Sequence, residues 1–189
     1  MKNSKTIFAL LGWLSTQPHS GYELKNLTER YVGEFWYGSF GQIYPLLRQM
    51  LEEGLVTMHE ERDTGHPPRK VYTITGAGRA AFERWMQEPP EEDLFRSELL
   101  LKLFFGHLAK PGALVEQVRA ALDSARAKLT YYERLHAMLS EQYAGTPDLP
   151  FMLITLDRGM IVNRGYVEWA ERTLETLKGI HPQEVRDEP

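Results

Sequence analysis

The stretch from Ser39 to Thr75 limits what this chain can become more than any other. Ile43, Leu46, Leu47, Met50 and Leu51 recur at i, i+3, i+4, i+7 and i+8, so a short helix with one buried face is predicted. The opposite arc carries Gly41, Gln42, Tyr44, Pro45, Arg48, Gln49 and Glu52, which turns an aromatic hydroxyl, an amide and a guanidinium outward. Such groups read base edges or hold phosphates. Pro45 conflicts with a helix starting as early as Ser39, because its ring and missing N–H disturb the preceding turn. A start near Gly41, with Pro45 in or just past the first turn, resolves the conflict. Gly54 supplies a left-handed stop. Residues 55–61 and 70–74 then read as two strands around the loop Asp63-Thr64-Gly65-His66-Pro67-Pro68-Arg69. A helix followed by a hairpin with a basic tip outlines a winged helix.

The flanking segments fit that outline. Ile7, Leu10, Leu11 and Leu14 form one stripe of a first helix, with Ser4 as the expected N-cap and Ser15 or Thr16 as its end. Ser20-Gly21-Tyr22-Glu23 has the spacing of a capping box, so a second helix starts there with Leu24 and Leu27 inward. Thr75 caps a fourth helix over about 76–87, with Ala80, Phe82, Trp85 and Met86 partly inward. Glu88-Pro89-Pro90-Glu91-Glu92-Asp93 breaks the pattern and marks a boundary. Beyond it, about 94–108 is apolar nearly all round and must be enclosed by something. Two long helices follow, roughly 113–144 and 148–178. Val118, Leu122, Ala125, Leu129, Tyr132, His136, Leu139 and Tyr143 form a seam on one, and Leu153, Leu156, Met160, Asn163, Val167, Ala170, Leu174 and Leu177 form a seam on the other. Asn163 is expected to set register if it meets a polar partner. A symmetric dimer whose arms cover each other would bury these stripes, placing Leu99, Leu103, Val118, Leu122, Leu129, Leu156, Met160, Asn163, Val167 and Leu174 at the interface.

The predicted fold class is therefore mainly α with a small β-hairpin wing. An N-terminal winged helix-turn-helix DNA-binding domain (1–88) is joined by a linker (89–93) to a C-terminal long-helix dimerisation domain (94–189). Net charge is −4, which argues against a nucleic-acid partner unless charge is segregated. Residues 1–88 hold ten basic and ten acidic groups, whereas 89–189 hold 12 basic and 16 acidic, so the acidic surplus lies away from the proposed reading head. The near-neutral head and a pI of 5.9 leave open an alternative, a winged-helix protein-interaction module that does not bind DNA. The absence of cysteine fits a reducing cytoplasm. The apolar start, 7–14, has no small-x-small cleavage site after it and reads as a core helix, and no apolar run approaches membrane-spanning length.

Motifs for chemistry are weak. Gly76-Ala77-Gly78-Arg79-Ala80-Ala81 matches a dinucleotide fingerprint, but a second strand with a ribose-binding acid cannot follow where Pro89-Pro90 stands. The six histidines are scattered without metal-ligand spacing, and no serine has a nucleophile-elbow context, so no catalytic site, metal or cofactor is expected. Arg62, His66, Arg69 and Lys70 bracket a proline-stiffened tip suited to a phosphate ridge or minor groove, although Pro67-Pro68 equally makes a plain turn.

The ordered segments His19-Ser20-Gly21-Tyr22-Glu23-Leu24, Gly41-Gln42-Ile43-Tyr44-Pro45-Leu46-Leu47, Leu51-Glu52-Glu53-Gly54-Leu55-Val56 and 68–78 resemble the PadR family of bacterial transcriptional regulators over about residues 5–87. Glu98-Leu99-Leu100-Leu101-Lys102-Leu103-Phe104-Phe105 and the two long helices resemble, more loosely, its longer subgroup with a C-terminal helical domain. The resemblance implies a homodimeric repressor on double-stranded DNA. It would place Tyr22, Gln42, Tyr44 and Arg48, with the wing residues Arg69 and Lys70, at the DNA; the residues themselves add Ser39 at the start of the third helix and Arg62 and His66 at the wing tip as candidates. Phe40 and Gln42 stand where the family often has small polar residues, so base preference does not carry over. Two copies of the third helix would enter successive major grooves about 34–36 Å apart on an inverted-repeat operator. A small aromatic effector is plausible for such a family; Trp36, Trp85, Phe104, Phe105, Tyr132 and Trp169 could line a pocket for it, with ordinary core packing as the competing account.

Overall fold

The structure, a computed structural model, describes residues 5–33, 35–36, 42–61, 68–92, 95–110 and 112–180. The chain forms two compact units, Met1–Glu92 and Asp93–Pro189.

In the first unit the order is α1 (Thr6–Thr16), β1 (His19–Ser20), α2 (Gly21–Tyr31), α3 (Ile43–Glu52), β2 (Val56–Glu61), β3 (Arg69–Ile74) and α4 (Gly76–Gln87). The sheet is antiparallel in the order β1-β3-β2. Its core joins Ile7, Leu10, Leu11 and Leu14 of α1 to Leu24 of α2, to Ile43, Leu46, Leu47 and Met50 of α3, and to Val56, Tyr72 and Ile74 of the wing strands. Each large aliphatic side chain enclosed this way contributes about 1.5–3 kcal/mol. The third helix is therefore fixed by its apolar stripe. Pro45 is the third residue of α3, where a backbone N–H would have no intrahelical acceptor, so the proline removes only an orphan donor.

The capping box at α2 forms as expected: the Ser20 hydroxyl accepts from the Glu23 amide, and Glu23 Oε2 accepts from the Ser20 amide at 2.7 Å. Ser20 and His19 also pair with Val71 and Tyr72, a two-residue strand that the sequence did not announce. Two expectations need correction. The N-cap of α1 is Lys5, without a side-chain cap bond, and not Ser4, which lies outside the described residues. Met86 is exposed on α4, because the face that packs inward runs through Phe82 and Trp85, the latter stacked on Phe8 at 4.6 Å. The glycine pair resembling a nucleotide fingerprint has a packing explanation: a Cβ on Gly78 would stand 2.1 Å from the Leu55 carbonyl oxygen.

In the second unit, α5 (Glu98–Phe104) is followed by a 3₁₀ turn (Gly106–Leu108), α6 (Ala113–Gln142) and α7 (Leu149–Ile180). The helix expected over about 94–108 is much shorter. Ser97 caps it, its hydroxyl accepting from the Leu100 amide at 3.2 Å, and it ends at Phe104. Gly106 then brings the turn against α6, where a Cβ would meet Leu114 Cδ1 at 2.9 Å.

The long seams meet each other within one chain. Val118 and Leu122 of α6 cluster with Ala170 and Leu177 of α7, and Leu99, Leu103, Val167 and Leu174 pack against them. Further along, the Tyr132 ring lies on Gly159, where a Cβ would come within 3.1 Å, and Arg126 pairs with Glu171 at 2.7 Å. The paired positions run in opposite directions, so α6 and α7 form an antiparallel helical hairpin. Leu156 and Met160 are buried, and Leu129 is half-buried, in the same chain. Asn163 does not act across the seam: its Nδ2 donates to the Gly159 carbonyl of its own helix at 2.8 Å. Among the described residues, no helix is long and apolar enough to cross a membrane.

Candidate nucleic-acid interface

Because Ile43, Leu46, Leu47 and Met50 are turned inward, α3 leaves Gln42, Tyr44, Pro45 and Arg48 exposed, as its periodicity requires. Arg48 has no ion-pair partner among the described residues, so its five donors are available to an outside acceptor. Gln42 is the N-cap and makes no side-chain cap bond, and its amide has no other hydrogen bond among the described residues. Gln49, by contrast, donates to Glu53 at 2.8 Å.

Tyr44 is 55% exposed yet firmly placed. One edge of its ring lies over Gly21, where a Cβ would stand 2.8 Å from Cε1, so only glycine lets α2 approach α3 this closely. Tyr22, in the first turn of α2, is 66% exposed. Burial raises the Tyr72 hydroxyl above the usual tyrosine value, and neighbouring Tyr44 adds to this.

At the base of the wing, Lys70 is exposed and without an ion pair among the described residues. Arg69 is placed differently from expectation. It is bound to Glu61 at 2.8 Å and reaches Glu23 at 3.5 Å, so carboxylates already occupy its fork. Glu61 is held below the usual carboxylate range by hydrogen bonds from Arg69 and then His59, and Glu23 by the Ser20 amide first. These two acids carry a role that sequence reasoning missed. Ser39, Arg62 and His66 lie outside the described residues. Among the described residues, no group of three or more histidines and acids could hold a metal ion.

The aromatics expected around an effector are mostly committed within their own units. Trp36 Nε1 donates to the Thr6 hydroxyl at 3.0 Å, Trp85 stacks on Phe8, Tyr132 lies on Gly159, and Trp169 packs against the α6–α7 core. Phe104 and Phe105 are exposed on the second unit, together with Leu100, Leu101 and Leu108. These side chains, like Phe151, Ile154 and Ile161 on α7 and unlike the seam, are apolar surface left exposed among the described residues.

A core-anchored third helix presenting tyrosine, glutamine and arginine outward, flanked by a two-stranded wing, defines a winged helix-turn-helix DNA-binding protein. The profile of the Transcriptional regulator PadR-like family matches residues 10–84, and that of the Virulence activator alpha C-term family matches 95–178. The PadR-like transcriptional regulator BC1756 from Bacillus cereus is 30% identical, with 94% of this chain and 99% of that one covered and a TM-score of 0.78. The negative transcriptional regulator PadR of Bacillus subtilis is 27% identical over 175 residues, 90% of this chain and 96% of the relative. The fold of Bacillus subtilis PadR, solved in complex with operator DNA, superposes with a TM-score of 0.79 at 24% identity over 92% of this chain and 99% of that one. The chain belongs to the PadR-like family of transcriptional regulators.

Proposed function

We propose that this regulator is a homodimeric repressor that works in the cytoplasm and has no catalytic activity. It would insert α3 of each subunit into successive major grooves of an inverted-repeat operator. The observation that carries this is the outward face of α3, where Arg48, with no ion-pair partner among the described residues, is exposed along with Tyr44 and Gln42. Arg48 suits a guanine edge or a phosphate, and Tyr44 and Tyr22 supply phenolic donors. Lys70 adds a cation at the wing. Ser39, Arg62 and His66 belong to the same proposed surface. Repression follows by occupying DNA that polymerase needs, and the name of the Bacillus subtilis relative, a negative regulator, supports that direction.

Dimerisation is assigned to the second unit. Phe104 is 80% exposed, Leu108 75% and Leu101 61%, a concentration of apolar surface that a second copy would cover. The seam residues Leu99, Leu103, Val118, Leu122, Leu129, Leu156, Met160, Asn163, Val167 and Leu174 then support the interface from behind by building the hairpin that carries it. Relief by a small aromatic effector belongs to the same proposal, since Bacillus subtilis PadR has been solved in complex with p-coumaric acid.

The test uses a duplex that the wild-type chain selects from a randomised pool. Arg48→Ala should weaken binding by about 1–3 kcal/mol, and if Arg48 holds a phosphate the slope of log K against log salt should flatten by about 0.9. Tyr44→Phe keeps the ring over Gly21 and removes only the hydroxyl. Unchanged affinity and slope in both variants would favour a protein-interaction module.

A further inference from the structure

Arg69 stands opposite Glu61 as the last pair of the β2–β3 ladder. Its Nε donates to Glu61 Oε2 at 2.8 Å, its Nη2 lies 2.8 Å from the same oxygen, and its Nη1 reaches Glu23 Oε1 at 3.5 Å. The other oxygen of Glu23 accepts from the Ser20 amide at 2.7 Å and from the Ser20 hydroxyl at 2.8 Å. One carboxylate thus belongs both to the cap that starts α2 and to the base of the wing. The start of α2 is in turn pressed on α3, since a Cβ on Gly21 would meet Tyr44 at 2.8 Å and Leu47 at 3.3 Å. A continuous path of contacts runs from the hairpin through Arg69, Glu23 and Gly21 to the exposed face of α3.

We propose that Arg69 is a positioning residue for DNA binding: through Glu61 and Glu23 it sets the wing relative to α2 and α3 before any duplex arrives. The inference rests on α3 and the wing being the DNA-facing surface. A planar guanidinium can satisfy two carboxylates at once, whereas an ammonium offers a single point charge. Arg69, Glu61 and Glu23 together carry a net negative charge, which by Coulomb's law alone repels phosphate. Their presence here is explained if the geometry they impose outweighs that repulsion. All three side chains are about half exposed, so the ties add little to global stability. Their effect is to reduce the ordering that the wing must undergo on binding.

The two accounts of Arg69 predict opposite signs. Glu61→Gln deletes a negative charge, so simple electrostatics predicts tighter binding. Positioning predicts binding weaker by about two- to fivefold on the selected duplex, the range that an exposed ion pair supplies. The salt slope should stay unchanged and affinity for poly(dI-dC) should not fall, because no phosphate contact is lost. Arg69→Lys keeps the charge and should weaken specific binding to a similar degree, and the double variant should be no weaker than the worse single one. Glu61→Gln binding the selected duplex as well as or better than wild type would overturn the proposal. So would an Arg69→Lys variant that binds like wild type, which would make Arg69 a simple phosphate contact. Arg48→Ala, run alongside, separates the levels: if it leaves binding untouched, the DNA-facing surface itself is wrong, and if it abolishes binding while Glu61→Gln tightens it, only the positioning role fails.

Discussion

Replacing Gly78 with alanine sets two physical effects against each other. Gly78 is the third residue of α4, and helix propensity alone favours alanine there by about 1 kcal/mol. The space forbids it. The new Cβ would lie 2.1 Å from the Leu55 carbonyl oxygen and 2.9 Å from Ile74 Cγ1, and the first of these is backbone that cannot rotate away. That same carbonyl accepts from the Thr75 amide at 3.0 Å, and the Gly78 amide donates to the capping Thr75 hydroxyl at 3.0 Å. Overpacking costs about 1–3 kcal/mol, and displacing the cap and the carbonyl bond costs about 1 kcal/mol each. Set against the propensity gain, the net is a destabilisation of about 3 kcal/mol, a fall in Tm of roughly 6–12 °C for a chain of this size. Gly76, two residues earlier in the same turn, has open space within 4 Å of its Cβ position, so Gly76→Ala should be neutral or stabilising by up to about 1 kcal/mol. Thermal unfolding followed by tryptophan fluorescence reports on this, since Trp13, Trp36 and Trp85 all lie in the first unit. A Gly78→Ala protein that melts at or above the Gly76→Ala protein would refute the close approach of α4 to the turn before β2.

The exposed patch on the second unit gives a second measurement. Phe104→Glu should leave the fold of a subunit within about 0.5 kcal/mol of wild type, because the side chain touches little inside its own chain. It should nevertheless shift sedimentation at micromolar concentration from dimer toward monomer, and an unchanged mass would move the interface elsewhere. Stability should also follow pH with a definite sign. Burial lowers His19 below 6.5 against the pull of Glu23, so its contribution is full above 6.5 and is lost as pH falls from there through its folded value. Glu23 and Glu61, both lowered below 4.5, contribute above 4.5 and lose that contribution as pH falls through their folded values. Urea titrations across this range should show both declines, with His19→Asn removing only the upper one; a stability that rises on acidification would contradict the assignment.

The parts of the fold written in local spacing were legible from residues alone. The stripe from Ile43 to Met50 specified α3 and its outward residues, and Ser20 with Glu23 specified the start of α2. What spacing could not reveal was the identity of the partner. The α6 and α7 stripes announce a buried face, but an apolar period is equally satisfied by the same chain or by another copy, and here the six-residue turn between the helices lets them fold back on each other. Leu99 to Phe105 read as a long enclosed helix because its composition is apolar on every side, whereas Ser97 held an overlooked cap signal that shortens it. The role of Arg69 was hidden for a different reason. Its cationic character pointed to phosphate, while its partners follow from hairpin register, Glu61 opposite Arg69, and from a helix start 46 residues away. His19 and Ser20 form too short a strand to leave a period at all.

Because α6 and α7 close their seam inside a single chain, each subunit of the proposed dimer would meet its mate as a finished part. The buried faces of its long helices are covered by each other. Pairing of that kind would be a docking governed by concentration, and distinct from unfolding. Two such molecules could then trade mates in solution without either one melting, and the choice between a mixed pair and a like pair would fall to the exposed apolar side chains of the second unit.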